Sequence, residues 1–280
     1  MPDAIIRATG THAPLRFVLV SIKDAMNEIG KKHNAQNYAL KFMAETAAAS
    51  LLLSSGLKFP GTVSFRIDMD GDLRFAQADS TPQGLLRAMI PQSDLQSLGA
   101  NEPLLTPQKL SVIKLGEKSE RVKESIVEAS SVQMGVNLTA YLRQSEQTKS
   151  AAGILAAVSE NSCELDFAMG FLVEAYPDAE TRDLEIMDAV VRTLSPLKDF
   201  YNGGQYKIHD LLDELRGPYQ IEIIKESTPQ AYCPCSRKKV MASLSGLSIC
   251  ERREIIQRGE ALDVVCDFCR THYSVAPEEI

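Results

Sequence analysis

Four of the six cysteines of this 280-residue chain fall in two short stretches, the C-x-C of "YCPCSRKKV" (Cys233, Cys235) and the C-x-x-C of "VVCDFCRTHY" (Cys266, Cys269). C-x-x-C is the usual metal knuckle, a tight turn that aims two sulfurs at one point, and C-x-C does the same where a strand bends. Together they offer four soft thiolates for a tetrahedral site, the donor set that suits zinc. The bland alternatives are chance spacing and a pair of structural disulfides. Clustered cysteines in a reducing compartment are more often metal-binding or catalytic than disulfide-forming.

The elements that must position these sulfurs are legible in the thirty residues between the pairs. Ser236 is placed to cap a helix over "SRKKVMASL", with Val240 and Leu244 on one face. "SICE" has the form of a capping box, Ser248 to Glu251, opening a second helix that Gly259 ends. "ALDVV" then leads into the knuckle as a strand that "THYSV" can pair with. Two short helices and a hairpin bury too little to fold alone, and a structural zinc, worth roughly 10–16 kcal/mol in small peptides, would decide the matter. A nucleic-acid-binding zinc ribbon is disfavoured, because seven basic residues face seven acidic ones from Pro229 onward. Cys250 is expected to pack inward on the second helix. His272 could compete as a ligand, but four cysteines close the tetrahedron, so a paired strand position is the better reading.

The remainder has the composition of a protein with a sizeable core, at 44% hydrophobic and 24% charged, and a net charge of −7 gives no general attraction to nucleic acid or anionic membrane. No apolar run approaches the roughly 18 residues of a membrane span. "MPDAIIRATG" lacks the basic and apolar regions of a secretory signal, so the cytosol is the expected compartment. "LRFVLVSI" alternates as a strand, and 37–56 reads as a buried helix stopped by Gly56. Val63, Phe65, Ile67 and Met69 alternate ahead of a turn at Asp70-Gly71, and a second hairpin surrounds Gly116. A helix fits 139–158, after which "ELDFAMGFLVEAYP" returns to strand. Strands and helices mix without strict alternation, so the class is α+β, a mixed core with a central β-sheet.

From residue 179 the character changes. Leu184, Met187, Val190, Val191 and Leu194 share one helical face, and Ile208, Leu211, Leu212 and Leu215 another that stops at Gly217-Pro218. Strand-like "YQIEIIK" follows. Ten acidic and six basic residues charge the outer faces of 179–228, and helices this short need a surface to dock on. The organisation expected is therefore a core over 1–178, an amphipathic helical linker over 179–228 and a four-cysteine unit over 229–280. Cys163 reads as an inert core thiol. "GGQ" at 203–205 reads as a loop. No P-loop, G-x-G-x-x-G, G-x-S-x-G or H-E-x-x-H is present, and His12, His33, His209 and His272 are scattered, so nothing points to an enzyme.

The C-x-C-S-R from Cys233 and the C-x-F-C-x-x-x-Y ending at Tyr273, thirty residues apart, resemble the family of the 33 kDa heat-shock protein, a redox-regulated bacterial chaperone. "YLRQSEQTKSAAG" from Tyr141, "GFLVEAYPDA" from Gly170 and "LLDEL" extend the likeness over nearly the whole chain. Lys149, Lys238 and Arg270 depart from the family pattern, and none of them is one of the four cysteines. The resemblance implies an ATP-independent holdase, one zinc ion held by Cys233, Cys235, Cys266 and Cys269 when reduced, and disulfides Cys233–Cys235 and Cys266–Cys269 when oxidised. It further implies unfolding proteins as partners and a homodimer on activation, while the charge balance and hydropathy above point to neither nucleic acid nor membrane.

Two other classes compete with a redox-switched holdase. One is a constitutive interaction protein with a purely structural zinc site; the other is a thiol–disulfide oxidoreductase using C-x-x-C. The last is the weakest, because its C-x-x-C ought to open a helix after a strand. Between the first two, the C-x-C favours the switch slightly, since adjacent thiolates are placed to capture an oxidised neighbour.

Overall fold

The computed structural model describes residues 2–91, 105–118, 120–159, 162–194 and 208–280. They divide into two compact units, Met1–Ala231 and Tyr232–Ile280.

The first unit is organised by a helix that has no polar side to show to water. In α2 (Asn37–Ser54) every residue from 39 to 54 except Lys41 is buried, as all-round Ala, Leu and Met content requires. It ends on Ser55 in right-handed conformation, one residue before the expected glycine. Two sheets enclose it. The first takes β1 (Ala4–Gly10), β2 (Leu15–Ser21), β8 (Ser150–Val158), β9 (Leu165–Ala175) and β10 (Ile221–Ser227) in the order β10-β1-β2-β9-β8. The second takes β3 (Gly61–Gly71), β4 (Phe75–Ser80), β5 (Leu85–Met89), β6 (Leu105–Gly116), β7 (Arg121–Glu128) and β11 (Gln230–Ala231) in the order β11-β5-β4-β3-β6-β7. All pairings are antiparallel except β11 with β5. The class is α+β as expected, with the strands of the first unit shared between two sheets. Among the described residues no helix is long and apolar enough to cross a membrane.

Strand periodicity explains how one sheet serves two cores. Val18 and Val20 of β2 face the α2 side, while Leu15, Phe17 and Leu19 face away. In β9, Leu172 faces α2, and Phe167, Met169, Phe171 and Val173 face away. The away face is closed by α4 (Thr181–Leu194) and α5 (Ile208–Tyr219), whose Met187, Val190, Leu194, Ile208, Leu211 and Leu212 are all buried against it. The described apolar residues of the two stripes are thus docked, and α4 and α5 belong to the first unit. The α5 helix runs past the expected stop at Gly217-Pro218 to Tyr219; Gln220, in left-handed conformation at φ 48°, makes the turn into β10. The "GGQ" at 203–205 lies outside the described residues.

The helix expected over 139–158 is corrected: α3 (Met134–Ser145) stops and β8 begins at Ser150. Alanine favours helix weakly, and pairing with β9 overrides it. Glu146 and left-handed Gln147 break the chain between the two. As an edge strand β8 has outward N–H groups to satisfy, and two side chains do so: Ala152 N–H donates to Thr139 Oγ1 at 3.1 Å and Ala156 N–H to Glu45 Oε1 at 3.2 Å. A comparable long-range cap opens α1 (Lys23–His33), where Asp24 and Ala25 N–H donate to the Asp3 carboxylate at 2.9 and 2.7 Å.

Glu45 is buried, and desolvation pushes its carboxyl up to about 7 against the pull of Lys41 and the Ala156 hydrogen bond. Because its folded value exceeds the unfolded one, its contribution to stability is full below the unfolded value and is lost as pH rises through about 7. Glu45→Gln keeps an acceptor and removes the titration. The variant's stability advantage over wild type is expected to widen by about 2 kcal/mol between pH 5 and pH 8 in urea unfolding. A gap that does not change with pH would show that the Glu45 carboxyl titrates in the folded chain as it does in the unfolded one.

The second unit follows the sequence closely. Ser236 caps α6 (Arg237–Ser245), accepting Lys239 N–H at 3.3 Å. Ser248 and Glu251 form the reciprocal capping box of α7 (Ile249–Arg258), and Gly259 ends it in left-handed conformation at φ 68°. The hairpin of β12 (Leu262–Val265) and β13 (His272–Val275) pairs Val264 with Tyr273. Arg237 ties α6 to the far end, donating to Ser274 O and to the Glu279 carboxylate. Of residues 232–280 only Val275 is buried.

Candidate metal centre

Each pair of cysteines is delivered by a different local device. Cys233 and Cys235 lie in irregular chain between β11 and the Ser236 cap. Cys266 and Cys269 bracket the reversal between β12 and β13. There Cys266 N–H donates to Thr271 O at 3.0 Å and Arg270 N–H to Cys266 O at 2.8 Å. That reversal requires a left-handed residue, and it falls on Arg270 at φ 58°, a conformation that favours glycine.

All four sulfurs lie within 4.8 Å of one another, so the structure brings together all four cysteines singled out from the sequence. Cys233 Sγ is 3.7 Å from Cys266 Sγ, and Cys235 Sγ is 3.3 Å from Cys269 Sγ. A tetrahedral zinc with bonds of about 2.3 Å needs sulfurs about 3.8 Å apart. The separations and the soft donor set both fit such an ion, and four close cysteines of this kind could hold a metal.

The protons on the sulfurs are shared unevenly. Burial and hydrogen bonding to neighbouring sulfurs leave the Cys235 and Cys266 thiols raised. At Cys269 burial raises the value too, but the Thr271 hydroxyl and backbone N–H outweigh it and bring the thiol down to about 6. Cys269 therefore ionises ahead of Cys235 and Cys266, with which it titrates as a coupled set. Backbone N–H groups of Phe268 and Cys269 also point at Cys266.

The other sequence-level expectations fare unequally. His272 sits on β13 opposite Val265 with Nδ1 2.8 Å from Asp263 Oδ2, a paired strand position as expected. Cys163, expected in the core, is exposed in the turn between β8 and β9, because the hairpin places the residues between the strands, and not the strands, at the surface. Cys250, expected to pack inward, is exposed on the first turn of α7, a helix with no buried residue at all. Neither belongs to the cluster. Sequence reasoning missed two hydroxyls: Tyr273 Oη lies 3.0 Å from Cys235 Sγ and Thr271 Oγ1 3.2 Å from Cys269 Sγ. The spacing from the knuckle was visible, but which sulfur each would meet depends on the hairpin register. Donation to Cys235, followed by burial, pushes the Tyr273 phenol up to about 12.

Residues 3–276 match the family model described as Hsp33 protein. The chain is 28% identical over 294 residues to the 33 kDa chaperonin of Microcystis aeruginosa, covering 100% of this chain and 96% of that protein. It is 27% identical to the 33 kDa chaperonin of Deinococcus radiodurans, covering 99% and 96%. The crystal structure of the 33 kDa chaperonin of Thermotoga maritima superposes with a TM-score of 0.83 at 21% identity, covering 100% of this chain and 96% of that one, which establishes the fold. The names of the relatives denote a chaperone, a role in binding other proteins and not in catalysis. With nearly every residue inside the matched model, the chain belongs to the Hsp33 family of chaperones.

Proposed function

We propose that this chain is an ATP-independent holdase whose client-binding surface is released by oxidation of a zinc centre. The ligands are Cys233, Cys235, Cys266 and Cys269. The observation that carries the reading is the convergence of four sulfurs in a unit whose only buried residue is Val275. A fold with so little core needs another source of stability, and bound zinc supplies it while holding the sulfurs in the nucleophilic thiolate form.

Oxidation by peroxide removes ligands in pairs. A thiolate attacks one peroxide oxygen, the O–O bond breaks and hydroxide leaves, giving a sulfenic acid. The neighbouring thiolate attacks that sulfur, forms the disulfide and expels a second hydroxide. Two electrons pass from the two sulfurs to peroxide. Following the family resemblance, the pairs are Cys233 with Cys235 and Cys266 with Cys269. Once both have formed, no thiolate ligand remains and the unit loses what folded it.

The chain then connects this loss to the first unit. Cys233 follows β11 by two residues, and β11 is a two-residue pairing with β5, preceded by β10 on the sheet edge. Loosening there frees α5 and α4, whose departure uncovers Phe17, Leu19, Phe167, Met169, Phe171 and Val173 on one sheet face. An apolar face of that size suits unfolding chains and also a second copy, so a dimer on activation is part of the reading. The expected compartment is the cytosol, where reduction returns the centre to its zinc-binding state.

The test follows zinc release and light scattering of a heat-unfolding client in the same peroxide titration. Protection is expected to rise in step with the zinc released. Protection that is present at full strength in the reduced, zinc-loaded protein would instead favour a constitutive interaction module. Protection that appears while zinc stays bound would overturn the switch.

A further inference from the structure

Hydroxyl groups reach the cluster from one strand, and each meets one sulfur of a different motif. Tyr273 Oη is 3.0 Å from Cys235 Sγ, and Thr271 Oγ1 is 3.2 Å from Cys269 Sγ. Thr271 immediately precedes β13 and Tyr273 lies within it, paired with Val264, so the hairpin register fixes both. A thiolate has no proton to give, so towards a thiolate each hydroxyl must donate. Hydrogen bonds to an ionised acceptor are the strong kind.

From this geometry we infer that Tyr273 is a positioning residue for the redox chemistry of Cys235: by donating to its sulfur it restrains the attack of that thiolate on oxidants. The inference rests on the oxidation-switch reading of the four cysteines and adds a residue to it. Attack on peroxide uses a sulfur lone pair to make the S–O bond as hydroxide leaves. A lone pair engaged by the phenol is lower in energy and less available. Cys266 has its restraint built into the backbone, from the Phe268 and Cys269 N–H groups of the knuckle. Pro234 and Cys235 lie outside any assigned helix, strand or turn, and at Cys235 the Tyr273 hydroxyl does that work. Thr271 stands in the same relation to Cys269, where its own backbone N–H donates as well. Removing the Thr271 hydroxyl therefore leaves a backbone donor behind, whereas removing that of Tyr273 takes away the hydroxyl donor to Cys235.

The experiment compares full-length wild type with Tyr273→Phe, which keeps the ring against the hairpin and deletes only the hydroxyl. Reduced protein is pulsed with iodoacetamide and each cysteine is quantified by peptide mass spectrometry. Cys235 is expected to react about five-fold faster in the variant, since part of a charge-assisted hydrogen bond is lost in attack, while Cys233, Cys266 and Cys269 keep their rates. Thr271→Val should speed Cys269 alone, by less. A loosened unit would speed all four sulfurs together, and that result would overturn the inference, as would an unchanged Cys235.

A second readout uses cobalt(II) in place of zinc. Deleting a donor to sulfur raises the energy of its lone pairs, so the sulfur-to-cobalt charge-transfer band of Tyr273→Phe should move to lower energy. An unmoved band would count against the hydrogen bond. The alkylation ratio is read in the metal-loaded protein, where all four sulfurs are held as thiolates, before any peroxide is added. Failure of wild type to release its metal with peroxide is therefore a separate result, one that removes the switch reading while leaving the Tyr273–Cys235 contact to be judged on its own.

Discussion

Replacing Cys266 and Cys269 together by serine is expected to reduce bound zinc from one ion per chain to none and to unfold residues 232–280 while the first unit keeps its own transition. The size of the effect follows from what else could hold that unit. Neither α6 nor α7 buries a single residue, and Ile249 and Ile256 are 61% and 47% exposed. The remaining attachments include a hairpin of two four-residue strands, two helix caps, the His272–Asp263 contact and those of exposed Arg237 with Glu279 and Ser274. Caps are worth about 1 kcal/mol each and exposed ion pairs less, against roughly 10–16 kcal/mol for a structural zinc. Nuclear magnetic resonance separates the outcomes: amide signals of 232–280 should collapse to random-coil positions while those of α2 and its sheets stay dispersed. A well-dispersed second unit in the metal-free variant would mean that its fold does not depend on the centre, and the switch would lose its motor. A chelator strong enough to strip wild type should reproduce the variant.

Val190→Asp should produce the converse state, an active chaperone with its zinc still in place. Val190 is fully buried between α4 and the sheet face carrying Phe17, Phe171 and Val173. Among the described residues the core around Val190 is apolar, and an uncompensated buried charge costs about 3–5 kcal/mol beyond the lost apolar burial. Undocking α4 is the cheapest way to relieve it, because the helix is short and lies on the surface of the unit. On the proposed switch, the reduced variant is expected to suppress client aggregation at the level proposed for wild type after peroxide, and to bind the one zinc ion proposed for wild type. Hydrogen exchange should show α4 and α5 opened and α2 protected. If exchange reports an opened α4 and the reduced variant still gives no protection, the covered sheet face is not where clients bind.

These two substitutions also mark where sequence reading succeeded and where it stopped. The capping box at Ser248 and Glu251, the left-handed Gly259 and the cap at Ser236 are contacts within a few residues, and the structure holds each of them. The helical stripe through Val190 was equally plain, since spacing along a helix determines which side chains share a face. Its docking surface was not plain. β2 and β9 are buried on both faces, so alternation could not assign Phe17 to one core and Val18 to the other.

The errors have the same origin. Over 150–158 the alanine-rich composition suggests helix, because the pairing partner that makes it a strand begins at Leu165 and its edge N–H groups find Thr139 and Glu45 from other elements. The habits of their residue type place Cys163 and Cys250 in the interior, whereas a bend between strands and a coreless helix put them outside.

What the sequence by itself determined was chemistry of short range: four thiols in two motifs, the caps that flank them, and the amphipathic periodicity of the segment before them. Only the tertiary structure decided which groups meet across the chain. It set the 4.8 Å convergence of the sulfurs, the hydroxyl of Tyr273 on Cys235 and the carboxylate of Glu45 on β8. The physical reason is that local geometry is encoded by neighbours in the chain. Contacts between distant segments depend on register and on which apolar face finds a partner, and those are properties of the folded whole.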